Sequence, residues 1–315
     1  MNKLAFFFPG QGSQSVGMMA GFTNESDDSK IIRDTFTEAS DILGVDFWLM
    51  ATEPNELLNL TQHTQPLMLT AGVATARAYD ETAGAKPNVL AGHSLGEYSA
   101  LVVAGALSFV DALPLVKYRA EAMQNAVPEG VGAMAAILGL DDDTVRAVCI
   151  EAAQNEVLEA VNFNSPGQVV IAGNKTAVER GMELAKSKGA KRALPLPVSV
   201  PSHCALMKPA AILLAEYLKN VTVNMPKISV IHNADVASYD NAEKIKDALV
   251  RQLYSPVRWV ETVQTIHAMG INQAAECGPG KVLAGLTKRI VAEFPCIALT
   301  NNQTFIDLQA ALKLN

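Results

Sequence analysis

The chain has 315 residues, and its composition and charge exclude several classes of protein. Hydrophobic residues make up 49% and charged residues 18%, a balance that favours a compact globular enzyme over a disordered chain. A net charge of −7 and the lack of a basic stripe argue against nucleic-acid binding. No run of eighteen apolar residues predicts a membrane span, and the N-terminal apolar run is too short for a signal peptide. We therefore expect a cytoplasmic protein.

The first part of the chain alternates short apolar runs with helical patterns. This alternation indicates an α/β fold with a mainly parallel sheet. Pro66 occupies a favoured first helical position, so one of the helices is predicted to begin there. The predicted strands cover residues 4–8 and 87–91, and the predicted helices cover 30–44, 66–80, 95–104 and 108–125.

Residues 127–198 follow a different order, strand-helix-strand-strand-helix-strand, which is typical of a ferredoxin-like unit. Asp141 and Asn174 are the expected N-caps of the two helices. We interpret this segment as a small subdomain inserted into a large α/β subdomain made of residues 1–126 and 199–315. The predicted strands cover residues 133–139, 157–162, 168–172 and 194–200, with a turn at 164–167.

The last third returns to helices and short strands. Strands are predicted over residues 228–231 and 273–277, and Gly278-Pro279-Gly280 opens a helix that runs to about Val291. No internal repeat or low-complexity segment is present.

The segment GHSLG at residues 92–96 follows an apolar strand and precedes a helix, as a nucleophile elbow does. Such a turn lifts the hydroxyl of Ser94 above the sheet edge. It also directs the N–H of Leu95 to the place where a carbonyl oxygen of a substrate would lie. The alternative is a tight turn with an inert serine. The context favours Ser94 as a covalent nucleophile.

A serine nucleophile needs a base, and the chain has five histidines. From position alone His203 is the best candidate, since it lies where the insert rejoins the large subdomain and a cleft is expected there. No acid between Ser94 and His203 ends a predicted core strand, which favours a dyad oriented by a backbone carbonyl over a triad. The other histidines are His63 in a polar loop, His93 pointing away from the serine, His232 at a strand end and His267 in an amphipathic helix.

The sequence offers two weaker candidate sites, a dinucleotide-binding loop and a cysteine-based metal or redox site. The loop at residues 10–12 lacks the third glycine of a dinucleotide-binding motif, because Ser15 stands in its place. The four cysteines form no CxxC pair and fit buried, reduced thiols, although Cys204 follows His203 directly. We therefore predict neither a cofactor nor a metal.

Five motifs in order resemble the malonyl-CoA:acyl-carrier-protein transacylases of bacterial fatty acid synthesis. They lie at residues 9–14, 92–98, 161–168, 201–203 and 278–280, and the resemblance extends from residue 4 to about residue 300. It implies a ping-pong transfer of a malonyl group from coenzyme A to the phosphopantetheine thiol of acyl carrier protein. It also implies a hydrolase-like core with a ferredoxin-like insert.

The resemblance assigns roles to individual residues. From the residues alone, Arg119 is a solvated side chain on a helix beside Lys117 and Glu121; the resemblance instead makes it the receptor of the malonyl carboxylate. The remaining implied roles are Ser94 as nucleophile, His203 as general base, the N–H groups of Gln11 and Leu95 as the oxyanion hole, the carbonyl of Gln252 as the group that orients His203, and Gln65, His93 and Asn162 near the substrate or the dyad.

The sequence leaves open which acyl groups are accepted and which of several related functions the protein has. The residues before the histidine, Val200-Pro201-Ser202, match neither usual form of the related polyketide acyltransferases, so tolerance of methylmalonyl is undecided. A serine hydrolase or thioesterase, a polyketide-type acyltransferase and a non-catalytic carrier-binding subunit are the alternatives. We expect a monomer.

An acidic carrier protein needs a basic docking patch on its partner. The candidates for that patch are Lys186, Lys188, Lys191, Arg192, Lys281, Lys288 and Arg289.

Overall fold

A computed structural model describes residues 3–83, 85–198 and 200–314. The strands are β1 (Leu4–Phe8), β2 (Val89–Gly92), β3 (Gly132–Leu138), β4 (Leu158–Ser165), β5 (Gln168–Asn174), β6 (Arg192–Pro195), β7 (Ser229–Ile231), β8 (Gln273–Cys277) and β9 (Cys296–Leu299). The helices are α1 (Asp27–Leu43), α2 (Phe47–Thr52), α3 (Thr61–Ala83), α4 (Gly96–Val103), α5 (Phe109–Gln124), α6 (Asp142–Ala153), α7 (Lys175–Ser187), α8 (Lys208–Leu218), α9 (Ala242–Gln252), α10 (Trp259–Ala268), α11 (Val282–Ile290) and α12 (Asn302–Leu314).

The larger sheet is parallel, and in the described residues its strand order is β7-β2-β1-β8-β9. Every residue of β1 is buried, because helices cover both faces of the sheet. Phe6 and Phe8 pack into the core beneath α1, α3, α4 and α5, whereas Phe7 points to the opposite face and contacts Trp259 of α10. Since all strands run in the same direction, their carboxyl ends meet at one edge, where a ligand site is expected.

The smaller sheet is antiparallel, with the order β4-β5-β3-β6, and it has the strand and helix sequence of a ferredoxin-like unit. Helices α6 and α7 pack on one face of it. The edge strand β4 reaches the larger part of the molecule, because the N–H of Phe163 donates to the carbonyl of Val257 (3.0 Å) and the N–H of Val257 donates to that of Val161 (2.8 Å). The expected α/β fold with a ferredoxin-like insert is confirmed, while the subdomain boundaries at 127 and 198 stay a prediction.

The prediction that a helix begins at Pro66 is wrong. Helix α3 begins at Thr61, and Pro66 lies inside it. The carbonyl of Leu60 accepts hydrogen bonds from the N–H groups of His63 and Thr64, so a turn is already formed before the proline. His63 consequently lies in a helix and not in a loop.

Three further expectations need correction. Asn174 stands at the N-cap of α7, but its side chain accepts the N–H of Val157 (2.9 Å) and not one from the helix. Strand β6 runs over Arg192–Pro195 and not over 194–200, since Pro195 and Pro197 lack the N–H that a longer ladder needs; position 199 of that prediction lies outside the described residues. The sequence patterns give no bounds for helices α2, α8, α9 and α12 or for strand β9. Across residues 3–83, 85–198 and 200–314, no helix has the length and apolar character that crossing a membrane requires.

Candidate active site

Ser94 lies on the turn between β2 and α4, at the carboxyl edge of the parallel sheet. Its φ of 50° falls in the left-handed region, which costs a residue other than glycine about 1–3 kcal/mol. The flanking glycines are required by close approach. A Cβ on Gly92 would lie 1.9 Å from the carbonyl carbon of Gly96, and one on Gly96 would lie 2.0 Å from the carbonyl oxygen of Phe8. Glycine at both positions therefore lets the turn form against β1.

Asn233 holds this strained turn from the loop after β7. Its Oδ1 accepts the N–H of Ser94 (2.7 Å), and its Nδ2 donates to the carbonyl of Gly92 (2.6 Å). Both bonds are made to the backbone of the turn itself. Asn233 therefore stabilises the conformation in which the hydroxyl of Ser94 projects from the sheet.

Ser94 and His203 form a dyad. The serine Oγ lies 2.8 Å from Nε2 of the histidine, and the histidine Nδ1 lies 2.8 Å from the backbone carbonyl oxygen of Gln252. A carbonyl can only accept, so Nδ1 carries the proton and Nε2 is free to accept the serine proton. The next carbonyl, that of Leu253, accepts the N–H of His203 (2.9 Å), so the end of α9 holds the residue at two points despite its φ of 69°.

The environment keeps His203 neutral. Burial lowers the pKa of this histidine to about 3, and the positive charge of Arg119 acts in the same direction. A neutral imidazole is the form that accepts a proton from serine.

We expect the acid limb of acylation to lie well below the ordinary histidine pKa of about 6.5. The profile of kcat/KM reports the free enzyme. Because the pKa of His203 is lowered, the base stays unprotonated as the pH falls through that value, and the rate should hold. Stopped-flow acylation across the pH range measures this, and a decline with a midpoint near 6.5 would contradict it.

The stability of the fold depends on pH in a different way. Below about pH 6.5 the His203 side chain of the unfolded chain binds a proton that the folded protein does not bind, so the free energy of unfolding decreases as the pH falls.

Arg119 extends from α5 to the dyad and is only 1% exposed, so the solvated alternative is wrong. Its Nη1 donates to Oε1 of Gln65 (2.7 Å), its Nη2 donates to Oε1 of Gln252 (2.9 Å), and the same nitrogen lies 3.5 Å from Oγ of Ser94. Within the described chain it forms no ion pair with a carboxylate, and its Nε has no hydrogen-bond partner. A buried cation without a counter-ion beside a nucleophile is suited to receive an anionic group of a substrate.

The other substrate-side candidates have different surroundings. Gln65 contacts Arg119 as described and is buried. The ring of His93 is hydrogen-bonded to Asn164, with its Nε2 2.8 Å from the Oδ1 of the asparagine. The ring also packs against Trp259, so it does not contact the serine hydroxyl. Asn162 lies on β4, and its buried Oδ1 has no hydrogen-bond partner among the residues that the structure describes. Proximity to substrate for His93 and Asn162 stays a prediction.

The predicted oxyanion donors lie on two neighbouring segments. Leu95 stands at the N-terminus of α4. The loop that carries Gln11 packs against the turn, since a Cβ on Gly10 would lie 2.5 Å from the carbonyl oxygen of His93 and 3.7 Å from the nitrogen of Leu95. This approach is compatible with two N–H groups that face one oxygen. Their pairing as an oxyanion hole stays a prediction.

Sequence reasoning missed one layer of the site. The sequence patterns assign no role in the site to any acid between Ser94 and His203, but Glu97 of α4 is 0% exposed. Its Oε1 lies 2.6 Å from Nδ1 of His232, and its Oε2 accepts from the Asn233 N–H and from the Gln252 side chain. The available signal was the polar pair His232-Asn233 directly after a buried strand, at the edge where the serine lies.

Cys204 is not a second nucleophile. Its thiol is buried and donates to the carbonyl of Pro201 (3.1 Å), and burial raises its pKa to about 12. In the part of the chain that the structure describes, no cluster of three or more metal-ligating side chains occurs.

Two of the seven basic residues predicted for carrier docking lie close together. Lys191 of the small sheet unit and Arg289 of α11 line one cavity, which also includes Asp141. Lys188 instead forms an ion pair with Glu151 (3.6 Å). Contact of a carrier protein with this cavity stays a prediction.

Comparison with known proteins agrees with this geometry. The model of the acyl transferase domain family matches residues 5–293. The malonyl CoA-acyl carrier protein transacylase of Escherichia coli K12 is 54% identical over 315 residues and covers 100% of both chains. The crystal structure of an acyl-carrier-protein S-malonyltransferase from Burkholderia pseudomallei is 58% identical, with a TM-score of 0.94 and 99% coverage of each chain. A solved complex of a malonyl-transacylase with its type II PKS acyl-carrier protein is 51% identical, with a TM-score of 0.95 and 100% coverage of each chain. The chain therefore belongs to the acyl transferase domain family and, within it, to the malonyl-CoA:acyl-carrier-protein transacylases.

Proposed function

We propose that the protein transfers a malonyl group from coenzyme A to the phosphopantetheine thiol of acyl carrier protein in fatty acid biosynthesis, through an ester on Ser94. The observation that carries this proposal is the buried guanidinium of Arg119, which has no carboxylate partner among the described residues and lies 3.5 Å from the serine Oγ. A nucleophile beside an unpaired cation is suited to an acyl group that carries its own negative charge.

In the first half of the reaction His203 takes the proton of Ser94 while Oγ attacks the thioester carbonyl. The tetrahedral oxyanion would accept hydrogen bonds from the N–H groups of Gln11 and Leu95. Loss of one such donor typically costs about 3–4 kcal/mol of transition-state stabilisation. Collapse of this intermediate expels the thiolate of coenzyme A, which takes the proton from Nε2.

In the second half His203 removes the proton of the carrier thiol, and the thiolate attacks the serine ester. Oγ leaves and recovers its proton from Nε2. The two halves use the same groups in opposite order, which suits a transfer between two thioesters of nearly equal energy.

Arg119 would bind the malonyl carboxylate and also tune the base. Its charge lowers the pKa of His203 in the free protein. A bound carboxylate offsets that charge, so the imidazolium that forms during acylation becomes less unfavourable. Bound malonyl thus makes His203 a stronger base for the proton of Ser94, whereas acetyl, which has no carboxylate, does not.

The main alternative, a serine hydrolase with a carboxylate-oriented histidine, has less support. The Nδ1 of His203 meets the neutral carbonyl of Gln252 and not a carboxylate. Use of the same transfer in polyketide synthesis is a second candidate, supported by the similarity to the complex with a type II PKS acyl-carrier protein. A monomeric state, a cytoplasmic location and the absence of a cofactor are further proposals.

Mixing the protein with malonyl-CoA and no carrier tests the proposed function. We expect a burst of about one coenzyme A per protein and an intact mass increased by one malonyl group, because the covalent intermediate accumulates when no thiol acceptor is present. Addition of the pantetheine-bearing carrier protein should return the mass to its initial value and place malonyl on the carrier. Continuous release of coenzyme A without carrier would instead indicate a hydrolase.

A further inference from the structure

Gln252 contacts Arg119, the backbone of Ser94 and His203. Its Oε1 accepts from Nη2 of Arg119 (2.9 Å), and its Nε2 donates to the backbone carbonyl oxygen of Ser94 (3.0 Å). Its own backbone carbonyl orients His203. The residue is 0% exposed, so no solvent stabilises a second orientation of the amide.

An amide can be turned by 180° with little change in shape, so its direction is decided by its neighbours. On one side Arg119 can only donate. On the other side the second hydrogen of Nε2 meets Oε2 of Glu97 (2.9 Å), which also accepts the N–H of Asn233 (2.9 Å). The Ser94 carbonyl and Glu97 both accept from the nitrogen of Gln252, which leaves the oxygen for Arg119, and Glu97 is the charged acceptor of the two.

The charge of Glu97 also acts on Arg119, to which it is linked through this amide, but its carboxylate does not occupy the guanidinium. A direct ion pair would compete with a malonyl carboxylate for the same donors. With Gln252 between them, the acid orients the cation and leaves it able to bind a substrate. Through Asn233 the same carboxylate supports the turn that carries Ser94.

We propose that Glu97 is a positioning residue for malonyl selectivity: it fixes the direction of the Gln252 amide and thereby presents Arg119 to the carboxylate of the substrate. This inference rests on the proposed malonyl transfer. Glu97 lies one layer below the reacting atoms and makes its effect through Gln252.

The test compares acylation by malonyl-CoA and by acetyl-CoA. Glu97→Gln keeps the size of the side chain but removes the charged acceptor of Gln252 and can present a donor to it, which weakens the preference of that amide for the observed direction. We expect kcat/KM for malonyl to fall roughly tenfold to a hundredfold more than kcat/KM for acetyl, as for a buried polar pair left unsatisfied. Glu276→Gln is the matched control, since Glu276 is equally buried but accepts from the N–H groups of Leu283 and Ala284 in α11. It should preserve the malonyl-to-acetyl ratio.

A double-mutant cycle separates positioning from general support of the fold. In a Gln252→Met background there is no amide to orient, so adding Glu97→Gln should leave the malonyl-to-acetyl ratio unchanged. Additive losses, or equal losses for both substrates, would overturn the inference. If Glu97→Gln does not fold, Glu97→Asp replaces it with the same expectation, because the carboxylate then retreats from Gln252 by one methylene. The unaltered protein is measured first: failure to accept malonyl there would refute the proposed function and not the role of Glu97.

Discussion

Replacing Ser94 by alanine should abolish the malonyl-enzyme and reduce transfer to the carrier by roughly 10⁶-fold, as expected for loss of a covalent nucleophile. The physical reason is local. Oγ of Ser94 is the hydroxyl within hydrogen-bond distance of Nε2 of His203, and the turn that presents it is held by Asn233. Intact mass after incubation with malonyl-CoA, together with peptide mapping, measures the result.

Ser99→Ala provides the matched control for this change. Ser99 lies on α4, the helix that follows the turn, is buried, and its hydroxyl has no hydrogen-bond partner in the described part of the chain. Loss of this hydroxyl should leave acylation intact. A malonyl label that persists in Ser94→Ala and maps to another residue would refute the covalent role assigned to the serine.

Replacing Arg119 by alanine should impair malonyl transfer far more than acetyl transfer. A buried carboxylate without its partner costs about 3–5 kcal/mol, which corresponds to a loss of roughly 10²- to 4 × 10³-fold for the charged substrate. Acetyl has no carboxylate and should be affected much less. The cation that disfavours protonated His203 is also removed, which offsets part of the acetyl loss.

Two variants sharpen this prediction. Arg119→Lys keeps a charge but not the planar fork, so an intermediate loss of malonyl transfer is expected. Arg180→Ala removes an arginine of α7 that is paired with Glu156 (2.8 Å), away from the dyad, and should leave the malonyl-to-acetyl ratio unchanged. Equal losses for malonyl and acetyl in Arg119→Ala would remove its assigned role as a carboxylate receptor.

Local features of the chain were sufficient to predict much of the fold. The run of apolar residues over Leu4–Phe8 identifies a buried strand, because a strand covered on both faces needs no polar alternation. The order of strands and helices predicted within residues 127–198 indicates the ferredoxin-like unit, because strand-helix-strand-strand-helix-strand is the order typical of it. Pro66 misled the prediction, since a preference for the first turn does not prevent a helix from starting earlier when Leu60 offers an acceptor.

The sequence by itself determined the nucleophile turn. The glycines on each side of Ser94 are needed because a Cβ on Gly92 would lie 1.9 Å, and one on Gly96 2.0 Å, from backbone atoms. The local sequence pattern contains both glycines and therefore predicts the turn. The dyad partner was narrowed to His203 by position, and a carbonyl orienter was expected from the lack of a suitable acid. Each of these inferences depends on a short segment or on the order of segments.

Only the tertiary structure decided the electrostatics of the site. Arg119 looks like an ordinary surface residue in its own helix, and burial by α3, α4 and α9 makes it an unpaired cation beside Ser94. Glu97 is joined to Gln252 across 155 positions of the chain. Burial and hydrogen bonding between distant segments set the charge state and orientation of these groups, and no local pattern encodes them.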